Sequence, residues 1–360
     1  MVPSSLKAML AALAALTVLL GAGSLLSALR ARRLDRQRRE LLQEVGLLQS
    51  ALLPPVPPTI GALRTSVAYR PADGAAAGGD FYDALSLPGG KAAFILGDVS
   101  GHGRGALGRT AFLRYTLRAY LEAGLAPRMA LQIAGRVIDE QLGGDFATVV
   151  LAVHDPAGGS LTFACAGHPA PIVVGPSTYK PVFTASSPPL GVGLRTGLRQ
   201  TTVPLAPGSV ACLYTDGLTE ARTAGGILGR GRLGDLVVEL GRSGEAPQLL
   251  ERVAEEARSM PDDMAACILA PTADATNGGF RTELLELSAT ELDGPLGRRF
   301  LEACGVPEDE AETALEDASF LSTRFDQLVL HVVFGNRLTV EALPANVESI
   351  EVAARRSLAG

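Results

Sequence analysis

Five aspartates stand where a chain can do chemistry. Asp98 closes the apolar run KAAFILGDVS (91–100), and Asp216 closes GSVACLYTDG (208–217). Asp262 and Asp263 precede MAACILAP (264–271), and Asp80 follows two glycines in GGDFYD (78–83). Runs of this kind read as buried strands, and strand ends present side chains to a shared cleft. Two carboxylates about 4 Å apart repel by about 4 kcal/mol at an effective dielectric of about 20. A cluster of four needs protons or cations to persist, and hard divalent ions with oxygen ligands are the natural counter-charge. Any one of these aspartates alone reads better as a turn cap. The flanking residues carry the weight.

The four letters GGDF occur twice, at 78–81 and 143–146. The second copy leads straight into a strand, so Asp145 reads as a turn residue. A nucleotide cyclase signature would need an acid where Phe81 stands. Gly103, Gly105 and Gly108 spell G-x-G-x-x-G, yet no second strand with a terminal acid follows about 20 residues later, as a dinucleotide site requires. His102 and His168 have no G-x-S-x-G elbow to serve, which excludes the serine hydrolase of that type. His168 in the AGHP turn is expected to support the site by hydrogen bonding; His102 is assigned no role.

The elements that must position these acids fall into blocks. From about 60 to 271, strands alternate with turns, and HDPAGGS joins two of them as a hairpin. Two helices are expected at roughly 104–123 and 127–141. Hairpin-linked strands with helices in blocks indicate an α+β layered sandwich rather than a doubly wound parallel sheet. The net charge of −6 speaks against a nucleic-acid surface. Cys165, Cys212, Cys267 and Cys304 are widely spaced, without a C-x-x-C pair; the first three sit in apolar runs and read as buried thiols.

Ahead of this block, Ala8–Leu29 runs 22 residues without a charge, a helix of roughly 33 Å that would cross a bilayer core. Six arginines follow within residues 30–39, against Lys7 before the span. The positive-inside rule then places everything after Arg30 in the cytoplasm. A cleaved signal peptide is the competing reading, but the basic residues lie on the wrong side of the run. The expected organisation is a short external tail (1–6), a transmembrane helix (7–29), a basic linker helix (30–53), a catalytic domain (54–271), a linker (272–279) and a small C-terminal unit (280–360). Leu34, Leu41 and Leu48 recur every seventh residue, and Val45 and Leu52 fill the alternate seam positions, the first of which is interrupted by Arg38. That pattern fits either a parallel dimer through residues 34–52 or a helix lying on its own domain. Pro54 and Pro55 end it.

PADGAAAGGDFYDAL, ILGDVSGHGRGAL, LTFACAGHPAPIVV, LYTDGLTEA and PDDMAACIL occur in the order and approximate spacing of the PPM superfamily. The chain resembles the metal-dependent type 2C serine/threonine phosphatases, specifically the bacterial SpoIIE/RsbU-type branch, over about 47–271. The resemblance implies an αββα sandwich, two packed antiparallel sheets flanked by helices. It implies hydrolysis of phosphoserine or phosphothreonine in a protein by water bound to two divalent cations, Mn2+ or Mg2+. Asp80, Asp98, Asp216, Asp262 and the backbone carbonyl of Val99 would hold the metals. Asp263 ranks below Asp262, since related enzymes often carry Asn there. Asp83, Gly79, Gly101, Gly103 and His168 would support the site. The implied substrate is a phosphorylated anti-anti-sigma regulator of the STAS type at the bacterial cytoplasmic membrane. No nucleotide or nucleic acid is expected. The alternative is a membrane-anchored pseudophosphatase scaffold; the complete set of acids argues against it.

Residues 280–360 read as β-α-α-β-β, with a hairpin turning at Gly335-Asn336. The order loosely resembles the start of an anti-sigma-factor kinase of the histidine-kinase ATPase type. Phe320 stands where a magnesium-binding Asn would be needed, and no D-x-G-x-G follows, so ATP binding is not expected. An unrelated docking module fits equally well.

Overall fold

The computed structural model describes residues 20–21, 23–25, 27, 29–34, 36, 53–72, 79–101, 104–139, 141–176, 187–272, 281–335 and 337–345. The strands in chain order are β1 (Thr59–Ile60), β2 (Leu63–Arg70), β3 (Asp80–Ser86), β4 (Ala92–Val99), β5 (Ala147–Asp155), β6 (Ser160–Ala166), β7 (Ile172–Val174) and β8 (Arg199–Pro204). They continue with β9 (Val210–Tyr214), β10 (Arg222–Thr223), β11 (Gly226–Ile227), β12 (Ala257–Ser259), β13 (Met264–Pro271), β14 (Arg281–Ser288), β15 (Gln327–Phe334) and β16 (Leu338–Pro344). The helices are α1 (Arg104–Glu122), α2 (Pro127–Ile138), α3 (Asp216–Glu220), α4 (Gly229–Leu240), α5 (Ala246–Glu256), α6 (Ala289–Leu292), α7 (Leu296–Cys304) and α8 (Glu308–Ser322).

A sheet in the order β1-β2-β13-β9-β7 faces one in the order β16-β15-β14-β8-β6-β5-β4-β3. Every pairing within them is antiparallel. The central strands are apolar on both sides because both faces are covered. On β4, Phe94 and Leu96 point to the layer between the sheets with Phe163, Leu213 and Leu269, while Ile95 and Val99 pack under α1 and α2 with Leu113, Leu117 and Leu131. On the outer face of the smaller sheet, Tyr214 and Ile268 meet Leu233 and Leu236 of α4 and Leu249 of α5. The expected αββα sandwich is thus present in its layers and strand directions. The HDPAGGS hairpin is also in place, with Asp155 opposite Ser160. Cys212 and Cys267 are buried, Cys165 partly so, and all four cysteines are free thiols, as the apolar contexts implied.

The sequence reading drew a boundary at 272–279, of which 273–279 lie outside the described residues; the strands beyond it continue the larger sheet. β14 hydrogen-bonds to β8 in register, Thr282 opposite Thr202 and Leu285 opposite Arg199. α6, α7 and α8 cover β14–β16 through Phe300, Leu301, Ala311 and Ala318. Two acids of β14 pin this unit down. Glu283, fully buried, accepts from Thr201 Oγ1 (2.6 Å) and pairs with Arg199 (3.0 Å) and Arg281 (3.0 Å). On the other face, Glu286 pairs with Arg128 at the start of α2 and with Arg195 (2.9 Å), and accepts from Gln132 (2.9 Å).

Among the described residues no helix is long and apolar enough to cross a membrane. Residues 7–19 of the expected span and 37–52 of the heptad stretch lie outside the description. Described residues within 20–36 are helical and exposed.

Candidate metal centre

Antiparallel pairing makes the first half of the site. Asp80 at the start of β3 lies directly opposite Asp98 near the end of β4. Opposed residues project to the same face, here the layer between the sheets, since Tyr82, Ala84, Phe94 and Leu96 on the same alternation belong to that layer. The second half comes from the other sheet. β9 ends at Tyr214 and α3 begins at Asp216, while Asp262 and Asp263 lead into β13, whose Ala266 pairs with Tyr214. Both sheets therefore bring their acids to one end of the sandwich.

Thr215 joins the halves. Its hydroxyl donates to Asp80 Oδ2 (2.8 Å) and accepts from Ala265 N (2.9 Å). Asp263 is buried and occupied by protein donors: Tyr69 Oη gives to Oδ2 (3.1 Å) and Ala72 N to Oδ1 (2.8 Å). Asp262 is exposed and accepts from Asp263 N through Oδ1 (2.8 Å).

The acids titrate abnormally for a shared reason. Burial raises Asp80 well above the usual carboxylate range, and the charges of Asp98 and Asp263 raise it further. Burial, then the charges of Asp262, Asp216 and Asp263, push Asp98 up to about 7. Asp216 is raised by burial, then by Glu220 and Asp262. Asp263 is raised by burial, against the bonds from Ala72 and Tyr69. Excess negative charge in a low-dielectric corner is what a hard divalent cation relieves. The donors are all oxygen, as Mg2+ or Mn2+ prefers. Among the described residues, no three Asp, Glu, His or Cys side chains converge tightly enough to form a closed metal site; the donor chemistry and the electrostatics carry the fit.

The supporting residues divide. Gly79 is required by close approach: a Cβ there would collide with the Val99 carbonyl and Asp98 Oδ1, and Val99 N donates to Gly79 O (3.1 Å). Gly101 takes left-handed backbone at φ 90° in the turn after Asp98, where glycine carries no steric penalty. His168 bonds to Thr148, the residue opposite Asp98. Asp83 faces the other way. It sits on the α1 side of β3, where Arg118 holds it at 3.1 Å and Arg114 at 4.0 Å, because period-two alternation separates it from Asp80. Gly103 lies outside the described residues. Asp145, read as a turn residue, pairs with Arg109 of α1 (2.9 Å) and steadies the loop after Asp98, where Ser100 and Phe146 exchange bonds. Thr215 and Tyr69 were not anticipated. Thr215 had one signal, its place directly before Asp216; Tyr69 had none, since its partner is 194 residues away.

The family model described as stage II sporulation protein E (SpoIIE) matches residues 88–271, half of the chain. Asp80 precedes that match, yet β3–β4 pairing sets it against Asp98. Protein IcfG of Synechocystis is 25% identical over 217 residues, covering 52% of this chain; the chain spans only 34% of that relative's length. Among solved structures, the SiaA-PP2C domain of Pseudomonas aeruginosa superposes with a TM-score of 0.54 at 22% identity, covering 66% of this chain and 98% of that one. The RsbU and RsbW domains of Rv1364c from Mycobacterium tuberculosis superpose with a TM-score of 0.52 at 22% identity, covering 76% and 84%. With the sandwich and the matched span in agreement, the chain belongs to the SpoIIE family.

Proposed function

We propose that this chain is a metal-dependent protein phosphatase that hydrolyses phosphoserine or phosphothreonine on a regulatory protein. The observation that carries the reading is the set of carboxylates that both sheets bring to one end of the sandwich, with Asp80 and Asp98 opposed and the Asp98 pKa pushed up to about 7. Asp80, Asp98, Asp216, Asp262 and the Val99 carbonyl would hold two divalent cations, Mn2+ or Mg2+. Bound ions of this kind supply a water of lowered pKa and offset charge on the phosphoryl oxygens. The chain's own residues do the positioning. Thr215 fixes the Asp80 carboxylate through its hydroxyl. Asp263, tied to Tyr69 and Ala72, anchors the loop that carries Asp262 and contributes negative potential. Gly79 lets β3 approach the Val99 carbonyl closely.

The substrate we propose is a phosphorylated anti-anti-sigma protein of the STAS type, a reading supported by the likeness to a protein with RsbU and RsbW domains. That likeness spans more of the chain than residues 54–271, which supports residues 280–345 as a remnant of a kinase-like unit added to the sheet edge. We place the enzyme on the cytoplasmic face of a bacterial membrane. The support is the uncharged run 8–29 and the arginines that follow it, with residues 34–52 as a dimerising stalk.

The test is phosphate release by the purified chain from a phosphoserine peptide and a phosphorylated STAS protein, with Mn2+, with excess chelator, and for Asp98→Asn. Turnover that needs Mn2+ and is lost in the variant supports the reading. A folded chain that binds Mn2+ but releases phosphate from neither substrate would favour the scaffold instead.

A further inference from the structure

Phe146, the last letter of the second GGDF copy, is apolar and yet 44% exposed. Strand register says where it stands. β4 and β5 pair Asp98 with Thr148 and Val99 with Ala147. The bond from Ser100 N to Phe146 O (2.8 Å) carries that register one pair further. Ala147 joins the cluster under α1 and α2, so Phe146 and Thr148 on either side of it take the opposite face. That is the face on which Asp80 and Asp98 meet. Phe146 therefore stands at the mouth of the acid cluster, one step beyond the Asp98–Thr148 pair. Its backbone is held in place. Phe146 N donates to Ser100 Oγ (2.9 Å), and the preceding Asp145 pairs with Arg109 of α1 (2.9 Å). Gly191 closes over the turn so tightly that a Cβ there would collide with Asp145 O and press on Phe146 Cα. The ring itself joins neither of the described apolar clusters on the two faces of that sheet. A half-open aromatic on a rigid backbone is suited to contact a ligand, because little ordering is lost on binding.

We propose that Phe146 is a specificity-determining residue, which packs against an apolar side chain next to the phosphoserine of the protein substrate. The inference rests on the metal-dependent phosphatase reading above. With the phosphate held at the acid cluster, the residues on either side of the phosphoserine pass along the rim of the cleft. Phe146 offers them area but no hydrogen bond, so its contribution is apolar burial. The turn presents no net charge either, since Arg109 and Asp145 neutralise one another. An apolar neighbour gains there, whereas a polar or charged one loses solvent without finding a partner. A half-open rim makes a shallow pocket, so the preference belongs at the low end of apolar discrimination, about tenfold. It bears on kcat/KM for the peptide and leaves cation binding alone, because the ring carries no donor atom for a hard divalent ion.

The experiment is Mn2+-dependent phosphate release by the full chain from phosphoserine peptides that are identical except for the two residues flanking the phosphoserine, both Leu, both Gln or both Lys. Wild type, Phe146→Ala and Phe146→Leu are compared, with Val238→Ser on the exposed side of α4 as a distant control. Mn2+ affinity is followed in parallel by the electron paramagnetic resonance of the free ion. Wild type should favour the Leu peptide over the other two by about tenfold in kcat/KM. Phe146→Ala should bring that ratio to about one, with no loss on the Gln peptide and no change in Mn2+ affinity. Phe146→Leu and Val238→Ser should keep the preference. A preference that survives in Phe146→Ala, an equal loss on all the peptides, or weakened Mn2+ binding would overturn the proposal. Should Phe146→Ala not fold, Phe146→Gln decides on the same ratio. Wild type with no Mn2+-dependent release from any peptide would overturn this inference together with the reading it rests on. Wild-type turnover that needs Mn2+ but favours the Gln or Lys peptide, or none of them, sinks the role of Phe146 alone.

Discussion

Asp98→Asn should abolish metal-dependent turnover and yet make the metal-free protein more stable. Burial and three neighbouring aspartates raise Asp98 from 3.8 to about 7 in the folded chain. An acid raised on folding binds more protons in the native state than in the unfolded one between those two values. Stability therefore falls as pH rises through that window, and the loss is complete above the folded pKa. Three pH units correspond to about 4 kcal/mol at pH 8 and to less than about 2 kcal/mol at pH 5. Partial solvent access and the coupling among the aspartates reduce the first figure to about 2–3 kcal/mol. For a domain of this size that is an increase of roughly 5–10 °C in Tm. The assay is thermal unfolding by circular dichroism in excess chelator at pH 5 and pH 8, for wild type and variant. The variant should melt higher, with the larger gap at pH 8. With saturating Mn2+ the order should reverse, because only wild type gains binding free energy, about 4.1 kcal/mol at a metal concentration of about 1,000 Kd, which exceeds the metal-free gap. A metal-free variant that melts lower than wild type at pH 8 would refute the argument that burial and the neighbouring charges together make the ionised Asp98 a destabilising group.

Other expectations follow from single contacts. Gly79→Ala should lose Mn2+ affinity in calorimetric titration, since its Cβ would collide with the Val99 carbonyl and Asp98; unchanged affinity would show that β3 and β4 need no such approach. Glu286→Gln leaves Arg128 and Arg195 without their carboxylate, a loss of about 3–5 kcal/mol for a buried pair, to be read as a lower urea midpoint. Removing residues 281–360 strips β14 from β8 and leaves Arg199 without Glu283. The shortened chain should aggregate or unfold in lower urea than the full chain, and equal stability would mean that the added strands form an independent unit. Asp83→Asn should weaken the hold on Arg118 without changing Mn2+ affinity, because Asp83 lies on the far face of β3.

The sequence determined the chemistry of the site before any fold was in view. Asp98 and Asp216 close apolar runs, and hydrophobic patterning is a local property that folds into strands wherever both faces find cover. Helices at 104–122 and 127–138 and the β5–β6 hairpin were legible for the same reason. What sequence could not supply was pairing at a distance. β8, RQTTVP, carries little apolar signal and went unread as a strand, so nothing marked it as the edge on which β14 would build. The C-terminal strands consequently read as a separate unit, although hydrogen bonds across an edge join them to the larger sheet. Face was likewise undecidable for Asp83 until the register of β3 against β4 put Asp80 inward and Asp83 toward α1. Tyr69 and Thr215 became partners of the acids only when two sheets closed over one another. Residue type and local pattern fix which groups can bind a cation; only the packing of the sheets sets the distances and the burial that give those groups their raised pKa values.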